Sequence, residues 1–344
     1  MAVTVTKGLP TRFENLADLA RLPFFEVNEG RLVLADRRLG PAIDLHTHLA
    51  LTFMVPQRLD LDRAWPETEH YLPKTNAIDL EIYVNKNFLA EDLPRMERDL
   101  SLGALTAGGM RRTHTMPNLL KEMEELGIEQ SVLLPIDFAY GSDNAGTWLE
   151  ASKDKKGLIC FGSVHPLRLG MEKNLLRQKA LGARGIKVHP AVQLLRPDAT
   201  RAMKLYDLCG KHQLPVLFHC GPVEIETKLG RYCSQVRFYE RAIAENPKTL
   251  FILGHSGALQ MELAFEFAKK YPNVILELSS QSLGNVRKIM AEADPERIVF
   301  GSDWPFYHQG IALAKVLLAS DDDELRKQVL RGNARRIFGG DAPH

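Results

Sequence analysis

Short, apolar, β-rich runs recur eight times along this chain, and stretches of helix length separate the later ones. The runs fall at residues 42–49, 131–136, 158–164, 183–189, 215–220, 250–255, 274–278 and 297–302. Connections such as 200–212 and 259–271 are long enough for helical crossovers, and strands joined that way pair in parallel. Eight such units predict a distorted (β/α)8 barrel of the TIM type. A doubly wound open sheet is the rival, and counting strands leaves it open. A chain of 344 residues suffices to bury such a core as one domain.

Two regions stand outside the repeat. Residues 1–40 read as an N-terminal extension, with a small hairpin over 25–34, packing on a barrel that fills 41–344. Residues 50–112 follow the first strand and are too long for a plain loop. They carry Arg58, Arg63, Trp65, His70, Tyr71 and Arg111, and a helix is expected over 79–98. An insertion there falls on the C-terminal face, where barrel active sites are built. It is expected to cap the pocket and select substrate; a stabilising surface excursion is the alternative.

Charge excludes several classes of partner. Lys plus Arg number 44 against 43 Asp plus Glu, a formal net charge of +1. No basic excess points to nucleic acid. The first ten residues lack a secretory pattern, and no apolar run reaches the ~18 residues of a membrane span. Cys160, Cys209, Cys220 and Cys233 form no C-x-x-C pair, which fits a reduced, cytoplasmic chain. The expected partner is a small-molecule substrate, for which a carboxylate-bearing acid is one candidate, and a homodimer is the default assembly.

The histidines carry the chemistry. His46 and His48 sit two apart on the first strand, so both imidazoles share a face, as two ligands of one metal would. His165, His189, His219 and His255 fall at the ends of strands 3 to 6, and Asp303 follows strand 8. In a closed barrel these positions converge at one mouth. Alternation in strand 4 puts Ile186 and Val188 toward the helices and Lys187 and His189 toward the interior. Asp44, two before His46, is expected to face inward but deeper, as a group that orients a ligand.

Asp44-Leu-His-Thr-His48, Phe218-His-Cys-Gly221, Gly254-His-Ser-Gly257, Gly301-Ser-Asp-Trp-Pro305 and Gly332-Asn-Ala-Arg-Arg-Ile-Phe338 together resemble the amidohydrolase superfamily. The nearest branch is the amidohydrolase-related group of aminocarboxymuconate-semialdehyde decarboxylase-like enzymes and metal-dependent hydrolases, over roughly residues 40–340. The resemblance implies a divalent metal on His46, His48, His219 and Asp303. It implies that His255 either binds a second metal or holds the attacking water or substrate oxygen. For Lys187 three readings stay open: a carbamate bridging two metals, a contact to a substrate anion, or structural pairing. His189 is a candidate substrate contact. Zinc is the default for this ligand set; manganese, iron or cobalt fit the same shell.

Such a metal lowers the pKa of bound water toward about 7. Asp303 would move its proton, and His255 would steady developing charge. Hydrolysis of an amide, ester or lactone is the favoured reaction. Decarboxylation of an unsaturated or aromatic acid is the alternative, and a catalytically inactive metal- or ligand-binding barrel a lesser one. A carboxylate substrate calls for cations, which Arg58 and Arg63, then Arg111, Arg196 and Arg231, could supply. His165 reads as mouth-lining or structural. His70, His114, His212, His308 and His344 read as surface or loop, Cys220 as packing, and Asn333 as a structural contact. Glu277 could face either way, and Trp304 and Phe306 read as pocket wall or core.

Overall fold

The computed structural model describes residue 6 and residues 8–339, except 54 and 107; His344 lies outside them. Eight parallel strands form the centre. In chain order they are β1 (Ala42–Thr47), β2 (Ile128–Leu133), β3 (Leu158–Cys160, continuing as Gly162–Ser163), β4 (Ile186–Val188), β5 (Val216–His219), β6 (Phe251–Gly254), β7 (Val274–Glu277) and β8 (Ile298–Val299). They form two arcs, β1-β2-β3 and β3-β4-β5-β6-β7-β8. The arcs join within β3, where Phe161 N–H donates to Leu133 O on one side and Gly162 N–H to Gly185 O on the other. At the other seam Leu45 N–H donates to Phe300 O at 3.0 Å, Asp303 N–H to His46 O at 2.8 Å, and Thr47 bridges Trp304 in parallel. The ring therefore closes, which excludes the open doubly wound sheet.

A helix follows each strand, from Met116–Leu126 after β1 to Gln309–Ala319 after β8. Thr200–Lys211 shows why these segments coil: Ala202, Leu205, Tyr206 and Cys209 recur at helical spacing and are the residues it buries. Each large apolar side chain so buried contributes about 2 kcal/mol. In Leu283–Glu292 the Ser282 hydroxyl caps the first turn by accepting from Asn285 N–H at 3.2 Å. Inside the ring, Ile43, Leu45, Val132, Leu217, Ile252, Ile275 and Val299 form a separate apolar plug below the mouth.

The hairpin appears as Phe25–Asn28 paired antiparallel with Arg31–Leu34. The long helix expected over 79–98 does not form. The segment is instead a 3-10 turn at Val84–Asn87 and a helix at Asp92–Leu100. Pro94 lacks an N–H and sits in the first turn, so the helix cannot run through it from upstream. Asn87 turns inward, its side chain accepting from Asp79 N–H at 2.8 Å. Val84 N–H donates to Ser280 O at 3.0 Å, and Asn85 Nδ2 to Val223 O at 3.0 Å, so this turn is tied to the loops after β7 and β5.

One irregularity in β1 decides the site. Asp44 pairs with Ser131 and Thr47 with Leu133, so three steps on β1 answer two on β2. Ile43 and Leu45 already point into the ring. Regular alternation would then send His46 outward with Asp44. The bulge re-aims His46 inward. The Asp44 carboxylate takes up the displaced backbone, accepting from His46 N–H at 3.0 Å and from Ser302 N–H at 2.9 Å. Asp44 also accepts from Ser302 Oγ at 2.5 Å and Gln309 Nε2 at 2.7 Å. It does not face inward as alternation suggested. It pins the β1–β8 seam from behind.

Candidate metal centre

His46, His48, Lys187, His189, His219, His255, Glu277 and Asp303 meet at the C-terminal mouth of the ring, and all but the half-buried His189 are buried. His46 Nδ1 donates to Glu277 Oε2 at 2.8 Å, which leaves Nε2 with its lone pair toward the centre. His48 Nδ1 donates to Leu134 O at 2.7 Å, with the same consequence for its Nε2. Asp303 Oδ1 lies 3.5 Å from His48 Nε2 and 3.7 Å from His46 Nε2. His46, His48 and Asp303 thus present three ligand atoms close enough to share one ion. A Cβ at Gly301 would collide with the Glu277 carboxylate and crowd His46, so that strand position has room only for glycine.

A second row lies beside the first. His255 Nε2 and His219 Nδ1 are 3.1 Å apart, and His255 Nδ1 meets Ser279 Oγ at 2.8 Å. Glu277 Oε2 accepts from His255 N–H at 3.0 Å and from Ser279 Oγ at 2.8 Å. His189 stacks on His219 with ring centroids 4.0 Å apart and planes within 7°. His255, Ser280 and Asp303 hold positive φ of 56°, 65° and 66°, strained values that concentrate at this mouth.

Burial, reinforced for His46, His48 and His219 by the Lys187 cation, pushes these imidazoles well below their ordinary value, His48 to about 3. They are neutral at physiological pH, the form that ligates metal. Burial pulls Lys187 down to about 7 against the opposing pull of Asp303 and Glu277. Burial likewise pushes Asp303 up to about 7, with Lys187 opposing. Lys187 Nζ stands 3.0 Å from His46 Nε2, on the atom a metal would claim.

The donor set suits a divalent ion of borderline character. His219 Nε2 supports this: it is buried and finds no hydrogen-bond partner among the described residues. A buried acceptor left unmet costs about 1–3 kcal/mol, and a cation bound at this mouth would satisfy it. The family model described as amidohydrolase matches residues 43–340. The chain belongs to the amidohydrolase family. Comparison with curated proteins finds no match.

Solved structures similar to this amidohydrolase are enzymes and TIM-barrel proteins of low identity. An uncharacterized TIM-barrel protein from Bordetella bronchiseptica has 16% identity and a TM-score of 0.61, over 87% of this chain and 98% of that one. A dihydroxybenzoic acid decarboxylase from Polaromonas sp. JS666, with bound manganese and the inhibitor 2-nitroresorcinol, has 17% identity and a TM-score of 0.58, over 88% and 98%. A probable 2-pyrone-4,6-dicarboxylic acid hydrolase from Acinetobacter baumannii, with citric acid bound, has 13% identity and a TM-score of 0.54, over 87% and 99%. These neighbours thus include a manganese-bound decarboxylase and a probable hydrolase.

Two residues offered from the amidohydrolase sequence as substrate cations are not brought to the cluster. Arg58 and Arg63 are exposed, and Arg63 lies over the Trp65 ring at 4.2 Å. Both sit in an irregular stretch with no period to aim them. Arg111 is buried inside the insertion, donating to Gly103 O at 2.6 Å, while Arg196 pairs with Asp198 at 2.9 Å. His165 is structural, its Nε2 3.0 Å from Gln193 O.

His70, His114 and His308 are not on the surface: all three are buried. His70 Nε2 lies 2.9 Å from Glu122 Oε2, which also accepts from Trp304 Nε1 at 3.3 Å. Glu122 Oε1 accepts from Gln309 N–H at 2.8 Å. Burial alone would raise Glu122, but the adjacent His308 and His70 and these hydrogen bonds outweigh it and hold the carboxyl well below its usual range. Trp304 therefore belongs to this packed layer, whereas Phe306 is half-buried and sets its ring edge-on to His48 at 6.1 Å. Glu277, for which the sequence allows either face, shares a face with Ile275 of the inner plug, and that parity is the signal that could have found it.

Proposed function

We propose that this amidohydrolase is a metal-dependent decarboxylase of a planar, unsaturated or aromatic carboxylic acid. The observation that carries the reading is the placing of one buried cation, Lys187, inside the His46–Asp303 cluster, with the Phe306 ring beside His48. A buried site with an aromatic wall and a single amine suits an acid that must shed its hydration before losing carbon dioxide. The insertion would cap this site: Tyr71 packs on Phe306 with ring centroids 5.0 Å apart. The manganese-bound relative is a decarboxylase of a ring-borne carboxylate, which supports the same class.

His46, His48, His219 and Asp303 would hold the metal, zinc or manganese. When bound, the metal supplies Lewis acidity that fixes and polarises substrate oxygens. Lys187 Nζ would meet an anionic oxygen of the substrate, and His189, stacked on His219, would flank it. Loss of carbon dioxide leaves a carbon that must take a proton. Asp303, with its carboxyl raised toward neutrality by burial, can hold that proton on Oδ1 or Oδ2 and deliver it. His255, fixed by Ser279, can donate to developing negative charge. Reduced thiols at Cys160, Cys209, Cys220 and Cys233, all buried and unpaired, support a cytoplasmic setting for this reading.

Hydrolysis of a carboxylated lactone is the second reading. The His255–Ser279–Glu277 chain favours it, because it places a held imidazole next to the ligand row, as an attack by water requires. The test is a metal-reconstituted assay with hydroxybenzoates and 2-pyrone-4,6-dicarboxylate, following carbon dioxide release and ring opening separately. Metal-dependent carbon dioxide release that Asp303→Asn abolishes is the expected result. Ring opening alone would select the second reading, and no turnover of either class would overturn both.

A further inference from the structure

His255 opens a strained stretch of backbone. It and the next three residues, Ser256, Gly257 and Ala258, hold φ of 56°, 44°, 86° and 49°. Only glycine adopts such values freely, so the other three are held there by their surroundings. Ala258 is the most strained, since its ψ of −123° also lies outside the left-handed helical well. The arc has no slack toward β5, because Gly257 O sits where a Cβ on Gly221 would be. Whatever fixes this arc also fixes the backbone that carries the His255 imidazole.

One side chain closes the arc. Gln281, fully buried in the loop after β7, donates from Nε2 to His255 O at 2.6 Å and to Ala258 O at 2.9 Å. A carboxamide has two N–H bonds, and both are spent on the first and last carbonyls of the arc. Gln281 is itself fixed on three sides. Its Oε1 accepts from Asn285 Nδ2 at 2.7 Å, and its N–H donates to Ser279 O at 2.8 Å. Its carbonyl accepts from Lys315 Nζ at 2.6 Å. Lys315 is the one charged residue of the helix Gln309–Ala319, and it is buried. Gln281 O is its one hydrogen-bond partner among the described residues. A buried amine met by a single acceptor costs more than an apolar side chain of the same length would, so packing does not explain it. Its contact with Gln281 does.

We infer that Gln281, anchored by Lys315, is the positioning residue for His255: its carboxamide clasps the strained arc and thereby holds the imidazole between Ser279 and His219. Without the clasp the arc relaxes toward freely allowed backbone. The ring then leaves Ser279 Oγ, which it meets at 2.8 Å, and His219 Nδ1, at 3.1 Å. Lys315 makes no hydrogen bond to the metal cluster and acts only through the Gln281 carbonyl. The inference deepens the reading of His255 as the group that meets developing charge, and it rests on that reading only for its effect on turnover.

The test is a ring-nitrogen NMR spectrum of the zinc-loaded, histidine-labelled chain, with the His255 signals identified by their loss in His255→Gln. In the parent, a ring held in one arrangement should show two well-separated nitrogen shifts. Gln281→Ala keeps the carbonyl for Lys315 but deletes the clasp, and the separation should narrow as the ring samples both tautomers. Lys315→Met should narrow it less. The double variant should narrow it no further than Gln281→Ala alone, because the lysine acts through the clasp. The signals of His70, His114 and His308 should stay in place throughout. Unmoved His255 signals in Gln281→Ala, or movement of all the histidines together, would overturn the inference. So would a Lys315→Met effect that persists in full without the clasp. Turnover is read separately, where kcat should fall about tenfold with KM unchanged. A narrowed separation with kcat unchanged would sustain the clasp and remove His255 from the chemistry.

Discussion

Lys187 Nζ lies 3.0 Å from Nε2 of His46, so in the metal-free chain the amine occupies the lone pair that a metal needs. Lysine and metal compete for one atom. Lys187→Met keeps the bulk and removes the competitor, at a gain of about one hydrogen bond, or ~1 kcal/mol. Manganese or zinc affinity should rise by roughly fivefold, read by competitive chelator titration. A loss of affinity instead would identify Lys187 as a ligand, as a carbamate would be.

Glu277 holds the Nδ1 proton of His46 at 2.8 Å and thereby fixes which nitrogen faces the centre. Glu277→Ala should lower metal affinity by about 10- to 100-fold, the usual effect of releasing a ligand's outer partner. The same titration checks it, with Glu277→Gln, which keeps an acceptor oxygen, expected to recover part of the loss.

Asp44 accepts from His46 N–H, Ser302 N–H, Ser302 Oγ and Gln309 Nε2 in full burial. Burial raises its pKa to about 6, and these hydrogen bonds pull against that rise. Asp44→Ala would strand buried donors on both sides of the β1–β8 seam. A loss of about 3 kcal/mol is expected in urea unfolding, with metal content falling as the bulge relaxes. Unchanged stability would show that the seam does not depend on this carboxylate.

His48, His114 and His308 are each pulled down to about 3, chiefly by burial. Between their unfolded value near 6.5 and about 3, the unfolded chain binds more protons than the folded one. Stability of the metal-free protein therefore falls as pH drops through that window, by about 1.4 kcal/mol per pH unit for each histidine. Melting temperatures at pH 7.5, 6 and 5 should decline steadily. A flat profile would mean that these imidazoles are not buried as neutral groups.

Regular strands made much of the centre readable in advance. The period of two placed Lys187 and His219 on the faces they occupy, because their strands run without interruption. Where the chain leaves regular structure, that logic has nothing to count. The insertion aims Arg58 outward, and it buries His70 against Glu122 of the first barrel helix. No spacing in residues 50–112 distinguishes these two outcomes, since each follows from a partner far along the chain.

The sequence by itself determined eight parallel strands with helical crossovers, the histidines at the strand ends and Asp303 beside them, because local periodicity and element length fix those features. Closure of the ring was decided by the β1–β8 seam. The tertiary structure alone decided that His46 faces inward. Its own strand's alternation, read from Ile43 and Leu45, points it the other way, and only the slipped register against β2, held by Asp44 across the β1–β8 seam, turns it round. A bulge is a property of two paired strands and the group that absorbs the displaced N–H, and one strand's residues cannot specify it.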